Sequence, residues 1–326
     1  MLVGLAAWPA IAAEFSGHGP IPTRNFQPIQ QIFLNLPFER ARTLAAGEVA
    51  LRLESAESNE VATNQEQFDA LLKFEQNRTV LGATVGLAKG WDVGLDIPFI
   101  SRFGGFLDPP IDTIEDLFGT SNVERSFFPN NSFAGFYVRE HSGRSLFEGP
   151  KQQLELGDIW ASAKYLALDS EGLPRLALRA AVKAPSGRAH GVFGSGKPDF
   201  GLGFALEHQF LDWLIAYGNF NVIYPLGPIT NARLTLNPMV TGGVAGEADL
   251  GCGFSFVLQQ NTYTSPIHGT GTRLLDGTAV ELAAALNWAY EPVVVQLSMI
   301  DNISPVATSA DFTLMLRLTW YVNRQA

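Results

Sequence analysis

The chain of 326 residues carries a period-two alternation whose second face is the main constraint on its fold. The stretch Thr79–Pro98 shows it best. Leu81, Ala83, Val85 and Leu87 share one face, and Val80, Gly82, Thr84 and Gly86 share the other. After Lys89-Gly90 the pattern resumes, with Trp91, Val93, Leu95 and Ile97 opposite Asp92, Gly94 and Asp96. Alternate side chains of a strand point to opposite faces of its sheet, so this is a hairpin with a tight glycine turn. One face is uniformly aliphatic; the other mixes glycines with carboxylates. A soluble sandwich would place Lys, Glu and Thr on its second face. Glycine and buried charge suit the inside of a wide barrel, with the aliphatic face turned toward lipid.

Composition agrees. Hydrophobic residues make up 46% of the chain, charged residues only 17%, and there are 32 glycines. No segment reaches the ~18 consecutive apolar residues that a spanning helix needs. A chain of this kind crosses a membrane with strands, because only helices and closed barrels satisfy their backbone groups in lipid. The net charge of −10 offers no basic stripe for nucleic acid.

At the N-terminus, residues 1–13 read as the apolar core of a signal peptide, with Ala10-Ile11-Ala12 as an A-x-A cleavage site. Residues 14–45 contain Pro20, Pro22, Pro28 and Pro37 and no sustained periodicity. They predict an extended arm on the periplasmic side, with room to tuck into the barrel. The single cysteine, Cys252, falls in a predicted strand and is expected to be a small apolar side chain there.

From residue 46 onward twelve strands follow, at 47–57, 76–88, 91–101, 156–168, 175–184, 199–207, 213–224, 236–245, 249–261, 278–288, 293–300 and 311–322. Short connections alternate with long ones, and both ends of this series fall on the short-turn side. Short periplasmic turns, long outer loops and an even strand count are the habit of outer-membrane barrels. Trp91, Trp213, Trp288 and Trp320 all lie beside the short-turn end, with Tyr165, Tyr290 and Tyr321 at the same level. Aromatics at one depth form an interfacial girdle. The predicted fold is therefore all-β, a transmembrane antiparallel up-and-down barrel of about twelve strands.

The third strand feeds a long outer loop, residues 101–155, far beyond a median connection. Within it Asp112–Phe118 predicts a short helix, with Ile111, Ile114, Leu117 and Phe118 on one side, and 133–138 a small hairpin. Ile111, Ile114, Leu117 and Phe118 are candidates for a plug or lid in the barrel mouth; a packed outer cap is the alternative. The inward faces carry Arg52, Glu54, Asp92, Asp96, Lys164, Arg175, Arg179, Lys183, Glu207, Glu281 and Arg317. Arg175, Arg179 and Lys183 facing Asp92 and Asp96 would line a constriction, either laddering into salt bridges or setting a transverse field.

Catalytic constellations are thin. His141-Ser142 and Ser186…His190 bring serine near histidine, but no third orienting group is evident. Five scattered histidines and one cysteine give no metal-ligand spacing, and Gly194-Ser-Gly-Lys197 lacks the full phosphate-loop spacing. No cofactor is expected.

Five segments taken in order carry a family likeness: Gly19-Pro-Ile-Pro-Thr-Arg-Asn25, Gly104-Gly-Phe-Leu-Asp108, Leu156-Gly-Asp-Ile159, Lys183-Ala-Pro-Ser-Gly187 and Gly194-Ser-Gly-Lys-Pro-Asp-Phe-Gly-Leu-Gly203. With these the chain resembles a family of uncharacterised Gram-negative outer-membrane proteins, known only as a domain of unknown function. The resemblance implies an exported barrel and supplies no activity or catalytic residue. The expected role is a passive or gated conduit for a small solute, in contact with outer-membrane lipid. An outer-membrane hydrolase acting on lipid and a structural or adhesive barrel with a closed lumen are the competing readings.

Overall fold

The computed structural model describes residues 15–118, 124–230, 232, 234–304 and 308–323, apart from the side chains of 114, 115, 117, 118 and 153. The residues read as a signal peptide lie outside this set. Twelve antiparallel strands close into one barrel: β1 (Val49–Asn64), β2 (Asp69–Ala88), β3 (Trp91–Phe103), β7 (Trp160–Leu168), β8 (Arg175–Lys183), β9 (Asp199–Leu211), β10 (Leu214–Pro225), β11 (Met239–Gly251), β12 (Phe254–Tyr263), β13 (Ala279–Tyr290), β14 (Val293–Asn302) and β15 (Phe312–Val322). Closure comes from β1 pairing with β15, in a register running from Val49↔Val322 to Asn59↔Phe312. Three shorter strands, β4 (Gly135–Arg139), β5 (Ser145–Glu148) and β6 (Gln152–Leu156), extend the wall at the long-loop end.

The alternation sorts the faces as the sequence predicts. Leu53, Leu81, Leu178, Val244, Leu258 and Leu297 are each more than 40% exposed on the outside. Arg52, Glu54, Arg78 and Asp96, of opposite parity on the same strands, point inward. Trp91, Trp213, Trp288 and Trp320 are exposed beside the short-turn end, and Trp91 stacks on Tyr165 at 4.6 Å. Tyr321 has inward parity and lines the lumen.

Several predicted boundaries need correction. The polar stretch after Ser58 was expected to be a connection, yet β1 and β2 continue through it, and Ser58, Asn59, Glu60, Lys73 and Glu75 are all 3% exposed or less. Loops cover this rim, so polar side chains are buried there and periodicity no longer reports a face. The hairpin turn predicted at 246–249 lies instead at Cys252-Gly253. Gly251, Cys252 and Gly253 have φ of +80°, +53° and +80°, a tight left-handed turn. Cys252 is thus an exposed turn residue rather than an apolar strand position, and Glu247 belongs to a strand. The predicted strand 156–168 breaks at Gly157–Ile159 into β6 and β7.

The largest correction concerns what fills the barrel. Eight strands enclose a space that wall side chains can fill, whereas twelve leave a wider lumen. Residues 15–45 occupy it as a hairpin. One limb rises from the short-turn end, where the Gly17 region meets Tyr217 and Glu247, toward the loop end. It turns over a 3₁₀ segment at Gln30–Ile32 and descends to Ala45, which meets the backbone of Gly86. The arm is therefore not confined to the periplasmic rim. Ile21, Phe26, Ile29 and Phe33 are 1% exposed or less and form the interior that the wall lacks. At the loop end Ile29 and Phe33 join Leu72, Phe74, Phe136, Val138, Leu146 and Phe147 in one apolar core, while Ile21 and Phe26 pack with Phe38, Ile215 and Met315 in another.

The long loop does not supply this plug. Its helix α1 (Asp108–Phe118) is longer than predicted and starts against the outward face of β1–β2. Asp108 accepts from Lys73 Nζ at 2.6 Å, Asn59 Nδ2 at 2.9 Å and Arg125 Nη1 at 3.0 Å. Lys73 and Asn59 share parity with the exposed Leu81 and Leu53. Burial alone would raise the Asp108 carboxyl, but these donors hold it below the usual range. Ile111 is buried at 5% exposure, while the side chains of Ile114, Leu117 and Phe118 lie outside the described residues.

The loop docks through Gly105, where φ is +87° and an added Cβ would sit 1.8 Å from the Glu75 carboxyl. Glu75 in turn accepts from the Phe106 and Leu107 amides at 2.9 and 2.7 Å. Gly105→Val is expected to undock residues 104–134 and leave the barrel folded. Limited proteolysis would then cut inside this stretch while unboiled electrophoresis still shows the heat-modifiable band.

Candidate functional site

The candidate site is the contact surface between the arm and the inner wall, where ion pairs and hydrogen bonds run beside two apolar clusters. Three ion clusters stack from the short-turn end toward the loop end. Lowest, Glu207 receives Arg40 at 2.7 Å, Arg42 at 2.9 Å and Arg175 at 3.6 Å. Arg175 sits at the rim and also meets Asp169 at 2.8 Å. Above it, Glu39 of the arm takes Arg179 Nε at 2.6 Å and Lys164 Nζ at 3.0 Å. Arg179 also donates to Asn219, Asn221 and the Pro37 carbonyl. Highest, Lys183 lies 2.8 Å from Asp158 and 2.9 Å from Asp199 and donates to the Ile32 carbonyl.

This arrangement changes the predicted pairing. Arg175, Arg179 and Lys183 do not face Asp92 and Asp96, because β7 stands between β3 and β8. Register puts Asp92 opposite Lys164, 3.5 Å away, and Asp96 pairs with Arg52 at 2.9 Å. The arm then supplies Glu39 to the strand-eight row. Glu281 lies toward the loop end, 1% exposed, with Ser309 donating to it. Arg317 stands beside Arg52 on the neighbouring strand wall, and no described carboxylate comes within 4.0 Å of its guanidinium.

Sequence reasoning missed the arm side chains Arg24, Glu39, Arg40 and Arg42, and it missed Glu247. Glu247 is fully buried and accepts from the His18 and Gly19 amides, Tyr217, Ser255 and Asn287. Arg24 donates to the Gln31 and Phe33 carbonyls and so ties the hairpin apex together. A signal was present: Ile21, Phe26, Ile29, Ile32, Phe33, Leu34, Leu36 and Phe38 are too many large apolar residues for a solvated tail.

Cavities follow the descending limb. A lower one of about 150 Å³ opens near the short-turn end, between Pro37–Arg42 and the wall residues Arg52, Asp92, Lys164, Arg179 and Arg317. A wider one of about 390 Å³ lies at the loop end beside Ile32, Phe147, His190 and Thr230. Two spaces of about 20 Å³ each lie in the stretch between, sharing Arg24, Asn35, Arg78 and Trp160. Each of these admits little more than one water. They mark the constriction.

The serines considered for hydrolysis are engaged otherwise. Ser142 bonds Glu140, and Ser186 donates to the Gly157 carbonyl while accepting the Ile159 amide. Among the described residues no group of three or more His, Cys, Asp or Glu is placed to hold a metal.

A closed twelve-stranded meander with an apolar outer band and a charged interior defines the class: the fold is that of an outer-membrane channel. The chain itself belongs to the DUF3187 family of proteins of unknown function, whose model matches residues 1–321. The five segments from Gly19 to Gly203 all fall within the matched residues. Three of them converge on the Lys183 cluster, where Asp158 also accepts from the Gly187 and Ser195 amides. The barrel is similar to the COG4313 outer membrane channel from Pseudomonas putida F1, with a TM-score of 0.60 and 12% identity over 86% of this chain and 98% of that one. It is more distantly similar to the NanC porin, with a TM-score of 0.47 and 8% identity over 82% and 97%. No curated protein sequence matches.

Two expectations follow from the ion clusters. Lys183→Met strands two buried carboxylates, so urea unfolding should show a loss of about 3–5 kcal/mol. Glu39 is the second test. Burial would raise its carboxyl, but Arg179 and Lys164 outweigh burial and hold it at about 2. Its folded value lies below the ordinary 4.5, so its stabilisation is complete above that pH and is lost as pH falls toward 2. Glu39→Gln should therefore loosen the arm at neutral pH, speeding amide exchange in residues 36–42 by about tenfold. Relative to the intrinsic exchange rate at each pH, the wild-type protein should lose the same protection only as pH falls toward 2.

Proposed function

We propose that the chain is an outer-membrane channel for a small solute, gated by its own N-terminal arm. In this reading the short-turn end faces the periplasm, and the tryptophan girdle lies at the inner membrane–water interface. The apolar outer band contacts outer-membrane lipid, and residues 1–13 direct export. The observation that carries the proposal is the character of the arm–wall contact. A permanent core would be apolar throughout. Here the descending limb is held by exchangeable ion pairs at Glu39, Arg40 and Arg42, and it borders the lower cavity and both narrow spaces above it.

Displacing that limb would join the two larger spaces through the constriction at Arg24, Arg78 and Trp160. The apolar core at the loop end favours a second reading, a structural barrel that stays closed. Conductance decides between them. Gly201 faces the descending limb, since a Cβ there would lie 2.4 Å from Leu36 Cδ1. A Leu36→Cys/Gly201→Cys pair should therefore lock the limb to the wall.

In planar bilayers the oxidised pair is expected to be silent and to open intermittently after reduction. A barrel lacking residues 15–40, checked for heat-modifiable migration, should conduct continuously. If neither conducts, the closed barrel is the correct reading.

A further inference from the structure

We propose that the lower cavity is a binding site for a small organic anion, a carboxylate or phosphate ester entering from the short-turn end. The inference deepens the channel reading by giving its solute a charge, and it rests on that reading only for calling the anion a cargo. The cavity, about 150 Å³, is lined by six cations, Arg40, Arg42, Arg52, Lys164, Arg179 and Arg317, and by two carboxylates, Glu39 and Asp92. Asp96 and Glu207 reach these cations from outside the lining, and Glu54 faces Arg317 across β1–β15. Counting all three, positive groups still outnumber negative ones, in a chain whose net charge is −10.

Arg317 is the residue on which the argument turns. It lines the recess, its Nε is buried without an acceptor, and no described carboxylate lies within 4.0 Å. Arg52 lies close by, because β1 and β15 pair Glu54 with Arg317 and Arg52 with Thr319. Its Nη2 is held by Asp96 while its Nε also lacks an acceptor. The half-buried Arg317 guanidinium has Glu54 across the strand pair but no described carboxylate within 4.0 Å, and a carboxylate or phosphate can occupy two of its N–H groups at once. Every other cation of the set already has a carboxylate: Arg40 and Arg42 have Glu207, and Lys164 and Arg179 have Glu39.

The recess is also lined by the apolar residues Pro20, Pro22, Leu36, Pro37, Phe38 and Trp160. A ligand with an anionic head and a compact apolar body meets both kinds of lining, with its head at Arg317 and Arg52 and its body against the prolines.

Isothermal titration of the full-length protein in detergent tests this, with benzoate and inorganic phosphate as probes and choline as the cationic control. Saturable binding of either anion, weakened by added salt and absent for choline, is expected. Arg317→Gln should weaken it at least about tenfold, and Arg317→Lys should recover part of the loss. Heat-modifiable migration reports that each variant is folded. A preference for benzoate identifies the carboxylate source, and a preference for phosphate the phosphate source. Absence of saturable anion binding, or equal binding by folded Arg317→Gln, overturns the site. Anion binding by a protein that never conducts would overturn the channel and keep the site; conductance without anion binding would do the reverse.

Discussion

The width of a twelve-stranded barrel sets the terms for everything inside it. The wall can point one side chain per two residues inward, and at this circumference those side chains do not meet across the axis. Either water fills the lumen or the chain folds something into it. Here residues 15–45 do so, and their backbone amides and carbonyls then need partners far from bulk water. The inner wall provides them. Glu247 takes the His18 and Gly19 amides, Gln259 takes the Ile21 amide, Asp199 takes the Leu34 amide, and Asn221, Arg179 and Lys183 bond the carbonyls of Leu36, Pro37 and Ile32. An arm without regular secondary structure over most of its length thus survives as an interior because polar wall residues replace the water it left.

That solution has a functional side. Burial of an ion pair contributes little net stability, whereas removing one partner is expensive. An arm fixed this way is specified in position more than it is glued in place. Its apex is embedded in apolar residues, and its descending limb passes from apolar contacts at Leu34, Leu36 and Phe38 to ion pairs at Glu39, Arg40 and Arg42. The limb that borders the cavities is also the limb held by charge. Glycines of the wall make room for it: Gly201 faces Leu36, and Gly86 leaves space for the Ala45 carbonyl.

Much of this was legible in the residues. The hairpin at Thr79–Pro98 shows its outer and inner faces directly, and the inward assignment of Arg52, Asp92, Asp96, Lys164, Arg179, Lys183, Glu207 and Arg317 follows from parity alone. Parity fails where a loop covers the wall. Asn59 and Glu75 face outward and are still buried, so a continuing strand read as a polar connection. It fails again at Glu247, which sits among glycine, alanine and aspartate and imitates a turn. Pairing of charges was less legible still, because a partner row one strand away and a partner from the arm look identical in sequence.

By itself the sequence determined the period-two alternation, its sign, the number of barrel strands and the short-turn side, since each is a local property of ten or so residues. The tertiary structure alone decided that the arm and not the long loop fills the lumen. Both segments are long, mixed in composition and without strong periodicity, and nothing local distinguishes them. The choice depends on complementarity across more than two hundred residues of separation, as between His18 and Glu247, and that pairing exists only once the barrel has closed. The charge left over at Arg317 is of the same kind. An arginine in a strand states that the lumen is polar, and only the assembled wall shows that Glu54, its neighbour across β1–β15, turns to Arg78 and leaves Arg317 without a described carboxylate within 4.0 Å.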